Sequence, residues 1–130
     1  MEKLIELSGE LEARVAFDAV AGPATGLLCN AMPNETVVIV YGGLSNKLMT
    51  DINPMDIIFR RKSITGFSLP DWKKEICLAK YDLIAKELQQ LILKKKLFTQ
   101  IQDSVKFEEI TQGLKTYLGN MSKGKMLIRP

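Results

Sequence analysis

Short apolar runs alternate along this chain with segments of helical periodicity. Each of three runs stops at glycine or small residues, and together they predict β-strands at residues 14–20, 36–41 and 62–69. Pro23 suits the first turn of a helix after the first run, and Asn53 suits the cap of a short helix before the third. The run at residues 36–41 is continuously apolar and β-branched, which is typical of a parallel strand buried on both faces. This order predicts an α/β fold with parallel strands.

The carboxyl-terminal half shows longer helical patterns. Apolar residues at steps of four and three predict one helix over about residues 71–93, with a stripe formed by Cys77, Tyr81, Ile84, Leu88 and Leu91. A further helix follows Phe107, and Gly119 is placed to end it as a left-handed cap. Residues 98–105 predict a short strand or irregular structure, and residues 126–128 predict a closing strand.

Composition narrows the class of protein. The chain has 130 residues, of which 46% are hydrophobic and 25% are charged, as expected for one globular domain over residues 1–130. The longest apolar run, at residues 36–41, is far shorter than the roughly 20 residues that cross a bilayer, so no membrane association is expected. The first residues lack the apolar core of a signal peptide. We therefore expect a cytoplasmic protein. For a longer parent protein that contains this chain, an organelle such as the mitochondrion is the alternative location.

Charge and residue types exclude several chemistries. The net charge is +3, and its most visible source is the run of lysines at residues 94–96. These lysines oppose the negative end of a helix dipole, so no nucleic-acid binding is expected. There is no histidine and no Cys-x-x-Cys pair, which leaves no zinc knot, no Cys–His pair and no Ser-His-Asp triad. We expect no metal site and no catalytic residue, and both Cys29 and Cys77 are predicted to lie in the core.

The ends of the three predicted strands are the candidate site. Ligands of open α/β sheets bind beyond the carboxyl ends of the strands, and glycine there permits close backbone approach. These ends are Ala21-Gly22, Gly42-Gly43-Leu44 and Phe67-Ser68-Leu69. The G-x-G-x-x-G turn that usually opens a dinucleotide-binding sheet does not occur in these residues. The chain is therefore interpreted as the second half of a doubly wound, Rossmann-like domain with flanking helices.

Three other residues near these ends allow two interpretations each. Asp18 could await a proton, but a hydrogen-bonded residue at a strand end is the favoured interpretation. Trp72 could cover a pocket, but packing against the sheet edge is favoured. Tyr41 is favoured as a packing and cofactor-wall residue over a general acid.

Several segments together resemble one known family. The chain is similar to the later strands and chain end of medium-chain dehydrogenases/reductases. The segments that carry the resemblance are Phe17-Asp18-Ala19-Val20-Ala21-Gly22, Val38-Ile39-Val40-Tyr41-Gly42-Gly43-Leu44-Ser45, Ser63-Ile64-Thr65-Gly66-Phe67 and Asn120-Met121-Ser122-Lys123-Gly124-Lys125-Met126-Leu127-Ile128. Residues 66–74 resemble the zinc-free branch of quinone oxidoreductases and 2-enoyl thioester reductases. The enoyl reductases have a segment similar to Phe-Trp-Leu where this chain has Phe67-Ser68-Leu69. Loss of the large indole changes the shape of the pocket, which counts against an enoyl thioester substrate.

The resemblance implies a set of cofactor contacts. It implies that the turn after the second strand lies along the nicotinamide half of NADP(H), that the end of the third strand adds contacts, and that a lysine near the chain end reaches the cofactor. These residues are Tyr41, Gly42, Gly43, Leu44, Phe67, Ser68, Leu69 and Lys125. NADP is the implied cofactor, and NAD is not excluded.

The resemblance also implies what lies outside these residues. The family's pyrophosphate turn and amino-terminal catalytic domain precede the matching segments, so we expect a carboxyl-terminal fragment of an NAD(P)H-dependent oxidoreductase that has no turnover by itself. A homodimer through the strand at residues 63–69 is implied as well. Two alternatives stay open: a stand-alone interaction or dimerisation module derived from a reductase, and a small α/β domain that binds another nucleotide.

Overall fold

The computed structural model describes residues 1–130. They divide into two compact units, Met1–Ile76 and Cys77–Pro130, and each unit is described by itself. The expectation of a single domain over residues 1–130 stays a prediction.

The first unit alternates helices and strands. Its helices are α1 (Glu2–Glu10), α2 (Pro23–Ala31), α3 (Pro54–Ile58) and α4 (Leu69–Glu75), and its strands are β1 (Val15–Asp18), β2 (Val37–Val40) and β3 (Ser63–Gly66). Pro23 occupies the first turn of α2, as predicted. The side chain of Asn53 accepts a hydrogen bond from the amide of Met55 at the start of α3, also as predicted.

The three strands form one parallel sheet in the order β1-β2-β3. The register places Phe17 beside Ile39 and Ile39 beside Thr65, so each of these residues lies on the same face of the sheet. The carboxyl ends of the three strands consequently meet at one edge. The prediction of an α/β fold with a partial Rossmann-like parallel sheet is confirmed.

The core lies on one side of this sheet. It is small and mixes apolar and polar side chains, and its most buried members are Val38, Cys29, Thr25, Thr36 and Asp56. On the other face Phe17 is 70% exposed, and Ile39 is half-buried. The prediction that β2 is buried on both faces therefore holds for one face only, because α2 contacts β1 and β2 and no helix of this unit makes a comparable layer opposite.

A buried ion pair joins α2, α3 and the start of β3. The ammonium of Lys62 lies 3.3 Å from a carboxylate oxygen of Asp56, and each side chain is only 2% exposed. Lys62 also donates to the backbone carbonyl of Cys29 at 2.8 Å, one of the last carbonyls of α2. A cation at a helix carboxyl end satisfies orphan acceptors and opposes the helix dipole. Cys29 is fully buried, which confirms its predicted core position, and this burial raises the pKa of its thiol.

The second unit contains two helices and a small parallel sheet. Its elements are α5 (Leu78–Leu93), β4 (Ile101–Lys106), α6 (Ile110–Gly119) and β5 (Lys125–Arg129), with short 3-10 helices at Phe107–Glu109 and Met121–Lys123. β4 pairs with β5, and α6 contacts both strands. The closing strand is confirmed, and residues 98–105 resolve into β4 for most of their length. The lysines at 94–96 follow α5, as predicted.

The structure corrects two helix predictions. The single helix over residues 71–93 is two helices, because Ile76 and Cys77 are both extended. The predicted apolar stripe begins at Cys77, the cap of α5, so it belongs to the second helix alone. The backbone carbonyl of Cys77 accepts from the amide of Tyr81 in the first turn of that helix. Cys77 is exposed, so its predicted core position was wrong. Gly119 is the last residue of α6 and has no positive φ, so its role as a left-handed cap was wrong too.

The Lys62–Asp56 pair leads to a prediction about stability. Replacing Lys62 by methionine should lower the unfolding free energy of the first unit by about 3 kcal/mol, because the Asp56 carboxylate stays buried with Arg60 as its remaining cation. Urea unfolding followed by fluorescence of Trp72, the only tryptophan, measures this. Lys74→Met is the control, since the Lys74–Asp71 pair is exposed and should be worth less than about 1 kcal/mol. Equal losses for the two variants would contradict the prediction.

Candidate functional site

Backbone hydrogen bonds tie the strand-end loops together. The β1–β2 pairing continues past the strands: the amide of Tyr41 donates to Asp18 O at 2.9 Å, and the amide of Ser45 donates to Val20 O at 2.8 Å. On the other side, the amide of Phe67 donates to Val40 O at 2.9 Å. The predicted segments after β2 and β3 are therefore held at one edge of the sheet.

Gly42 lies against the loop that follows β1. A Cβ at this position would be 2.5 Å from the carbonyl oxygen of Ala19, closer than atoms can approach. Gly43, the next residue, has open space around it. The two predicted glycines thus have different functions in the fold: Gly42 permits close backbone approach, and Gly43 leaves the outer side of the turn free.

An aromatic cleft lies on the open face of the sheet beside these turns. It has a volume of about 520 Å³ and is lined by Phe17, Ile39, Tyr41 and Phe67. The rings of Phe17 and Tyr41 meet edge-on with centroids 6.5 Å apart. Two predicted site residues, Tyr41 and Phe67, are thus brought together. Phe17 was missed, although alternation along β1 places it on the face that Ile39 and Tyr41 share.

The remaining predicted residues after β3 serve the start of α4. The Ser68 side-chain oxygen accepts from the amide of Asp71 and so caps the helix, whose first residue is Leu69. The Ser68 hydroxyl also donates to the carboxylate of Asp71 at 2.6 Å. Hydrogen bonds from Ser68 and Lys74 lower the pKa of Asp71. Trp72 is half-buried, and its ring lies 6.3 Å from that of Phe67. The favoured interpretation of Trp72 as a packing residue beside the edge strand agrees with this contact.

Lys125 belongs to the second unit, as the first residue of β5. Its ammonium donates to the phenol oxygen of Tyr117 at 3.2 Å and lies 5.8 Å from the centre of that ring. This unit contains a cavity of about 210 Å³ with a mainly apolar lining. The lining residues are Val105, Ile110, Leu114, Tyr117, Lys125, Met126 and Ile128. No carboxylate pairs with Lys125, so its charge is available to an anionic group.

Asp18 is the most strongly hydrogen-bonded side chain at this edge. One carboxylate oxygen accepts from the amides of Val20 and Ala21 at 2.8 and 2.9 Å, and the other accepts from the hydroxyl of Thr25 at 2.6 Å. Burial raises the pKa of this carboxyl, but the three hydrogen bonds outweigh burial, and the pKa lies below its ordinary value of 3.8. The favoured interpretation of Asp18 as a hydrogen-bonded strand-end residue is confirmed.

Two other features of the chain bear on the class of site. No group of three or more His, Cys, Asp or Glu side chains is placed to hold a metal ion. None of the helices has the length and apolar character needed to span a bilayer.

The parallel sheet and its strand-end turns define the class of this protein as part of a Rossmann-like domain. No family model matches the chain. A curated relative is the mitochondrial enoyl-[acyl-carrier-protein] reductase of Dictyostelium discoideum, which is 28% identical over 100 residues. The match covers 71% of this chain and 28% of the relative.

Solved structures extend the likeness over more of the chain. A protein of Mesorhizobium loti assigned as an NADPH:quinone reductase matches with a TM-score of 0.82 and 28% identity, over 99% of this chain and 37% of its own. The Etr1p/Etr2p heterodimer of Candida tropicalis, a mitochondrial 2-enoyl thioester reductase, matches with a TM-score of 0.69 and 20% identity, over 99% and 36%. Etr1p has also been solved with NADP and crotonyl-CoA, and that complex matches with a TM-score of 0.70 and 22% identity, over 91% and 33%.

These matches confirm the resemblance stated from the sequence. The chain is similar to the carboxyl-terminal part of medium-chain dehydrogenases/reductases, in the zinc-free branch of quinone oxidoreductases and enoyl thioester reductases. It spans well under half the length of each of these relatives.

The close approach at Gly42 leads to a prediction with a built-in control. Gly42→Ala should lower the unfolding free energy of the first unit by about 2 kcal/mol, because the added methyl group overlaps Ala19 O and pushes the turn outward. Gly43→Ala should change it by less than about 0.5 kcal/mol, since nothing lies within 4 Å of its Cβ position. Urea unfolding of both variants measures the difference. A Gly42→Ala variant as stable as Gly43→Ala would show that the turn accommodates a side chain.

Proposed function

We propose that this chain forms the nicotinamide side of the cofactor site of an NAD(P)H-dependent oxidoreductase of the quinone or enoyl-thioester reductase type. The observation that carries the proposal is the aromatic cleft beside the Gly42-Gly43 turn, at the carboxyl ends of parallel strands. Open parallel sheets bind nucleotide cofactors at this edge. NADP is the proposed cofactor, since relatives of this chain are NADPH-dependent or have been solved with NADP.

The residues present fit a nicotinamide ring. The cleft walls formed by Phe17, Tyr41 and Phe67 are flat and uncharged, and a ring of this kind stacks favourably on aromatic side chains. The turn at Gly43 and Leu44 is exposed, so its outer side is accessible to a ligand. For Lys125, which belongs to the second unit, a cofactor contact is proposed from the family resemblance alone. Gly42 and Ser68 then support the site from within, through the turn and the start of α4.

When bound, the nicotinamide supplies hydride chemistry, and the share of these residues is to bind and orient the ring. Among the residues that line the cleft, Tyr41 is the only one whose side chain carries a proton donor. The chain also contains no G-x-G-x-x-G turn for the pyrophosphate. We therefore propose that binding by these 130 residues is weak and that they have no reductase turnover on their own.

A homodimer through residues 63–69 is part of the proposal, although the strand predicted there is shorter: β3 ends at Gly66 and Leu69 begins α4. β3 is an edge strand, with β2 on one side only, so its free backbone groups can pair with another strand. The heterodimer of Candida tropicalis supports association in a related structure. The proposed location is cytoplasmic. The alternative is a mitochondrial parent protein, because the Dictyostelium relative is a mitochondrial enzyme.

The second candidate function is a non-catalytic interaction module derived from a reductase. The observation that favours it is the exposed apolar face around Phe17, together with two edge strands, since such surfaces accept a partner strand or helix. The two candidates differ in their response to a nicotinamide cofactor.

Titration with NADPH, followed by backbone NMR, tests the proposed function. We expect shift changes concentrated at Gly42, Gly43, Phe67 and Lys125. Phe67→Ala should weaken binding about tenfold, because one stacking wall is lost. Phe59→Ala is the matched control and should leave binding unchanged: Phe59 is exposed and precedes β3, whereas Phe67 follows its carboxyl end.

Two results would count against the cofactor site. Shift changes spread evenly over the chain would indicate non-specific binding. A folded chain without any shift change, up to millimolar NADPH, would favour the interaction module.

A further inference from the structure

We propose that Asp18 is a positioning residue of the cofactor edge: its buried carboxylate fixes the loop at residues 19–22, and that loop holds the Gly42–Ser45 turn in its binding shape. This inference rests on the proposed function, because the turn matters only if it meets the cofactor. Asp18 itself is 2% exposed and does not line the cleft.

The first step is the link from Asp18 to its own loop. Its carboxylate accepts from Val20 N, Ala21 N and the Thr25 hydroxyl, and Thr25 is fully buried in α2. The loop needs such support, because Ala21 has φ 59° and Gly22 has φ 66°. An alanine in the left-handed region is strained and persists only where its surroundings hold it. The carboxylate therefore holds a loop that is costly in isolation.

The second step is the link from this loop to the turn after β2. Three successive carbonyls, of Asp18, Ala19 and Val20, accept from the amides of Tyr41, Leu44 and Ser45. Gly42 lies against Ala19, and the hydroxyl oxygen of Ser45 would be 2.6 Å from a Cβ at Gly22. The position of the turn consequently depends on the carbonyls of the loop, and the position of the loop depends on its hydrogen bonds to Asp18.

Asp18 is the only carboxylate among the elements that contact this loop. β2 contains no ionisable residue, α2 contains only the Cys29 thiol, and the turn contributes Tyr41 and Lys47. The pKa of Asp18 is lowered on folding, so its contribution is complete above its ordinary value of 3.8 and is lost as the pH falls through the lower folded-state pKa.

Hydrogen exchange of the ligand-free chain tests the positioning directly. Asp18→Ala removes both acceptor oxygens, and with them all three hydrogen bonds. It should speed exchange at the Ser45 amide about tenfold, while exchange at the Phe67 amide, which donates to Val40, stays within about twofold. Asp18→Asn should restore protection. Its carbonyl oxygen can accept from Val20 and Ala21, and its amide group can donate to a reoriented Thr25 hydroxyl.

A second variant guards against loss of folding in Asp18→Ala. Thr25→Val keeps the shape of the side chain and removes one of the three hydrogen bonds, so it should give a smaller increase at Ser45 only. In the native chain the Ser45 amide shift should also titrate below pH 3.8, and this transition should be absent in Asp18→Asn. Equal acceleration at Ser45 and Phe67, or full protection of Ser45 in Asp18→Ala, would overturn the inference.

Cofactor binding separates failure of this inference from failure of the proposed function. If the native chain binds NADPH, Asp18→Ala should weaken binding about tenfold and Asp18→Asn by less than about threefold. Unchanged binding in Asp18→Ala would overturn the positioning function. If the native chain shows no NADPH binding, the proposed function fails, and the exchange experiment alone decides whether Asp18 holds the turn.

Discussion

The parallel pairing of β2 with both of its neighbours is the constraint on which the first unit depends. Because all three strands run in one direction, their carboxyl ends and the turns after them meet at one edge. The pairing continues past the strands as backbone hydrogen bonds between the loops, so the candidate site is an extension of the sheet itself. A cleft formed in this way inherits the rigidity of a hydrogen-bonded ladder, although it is made of loop residues.

Buried polar groups stabilise the two ends of the sheet, where the small apolar core contributes little. Lys62 and Asp56 connect α2, α3 and β3 at the amino ends of the strands, and Asp18 fixes the loop at their carboxyl ends. Such groups are costly to bury unless they are satisfied, and here each has at least two partners. The sheet is thus anchored at both ends by directional contacts, which specify register more strictly than contacts between apolar side chains do.

Much of this arrangement could be predicted from the sequence. The β-branched run at residues 36–41 and the caps at Pro23 and Asn53 have local physical causes, so strands and helix starts were found. The break at Cys77 was not, because no glycine or proline marks it and the apolar stripe from Cys77 to Leu91 carries no information on the residues before it. The strand-end turns were located as candidates by the glycines and by family resemblance. A hydrogen-bonded Asp18 was predicted as well, since its partners Val20, Ala21 and Thr25 are close in sequence. The contact of Lys62 with Cys29 was not, because a partner 33 residues away leaves no periodic signal.

The corrected position of Cys77 has a practical consequence. The chain has two cysteines, one enclosed beside the Lys62–Asp56 pair and one exposed at the first residue of the second unit. Only the exposed thiol should react readily with a maleimide, because thiolate formation at Cys29 is suppressed by burial. The native sequence therefore accepts a single fluorophore at the junction of the two units without mutagenesis.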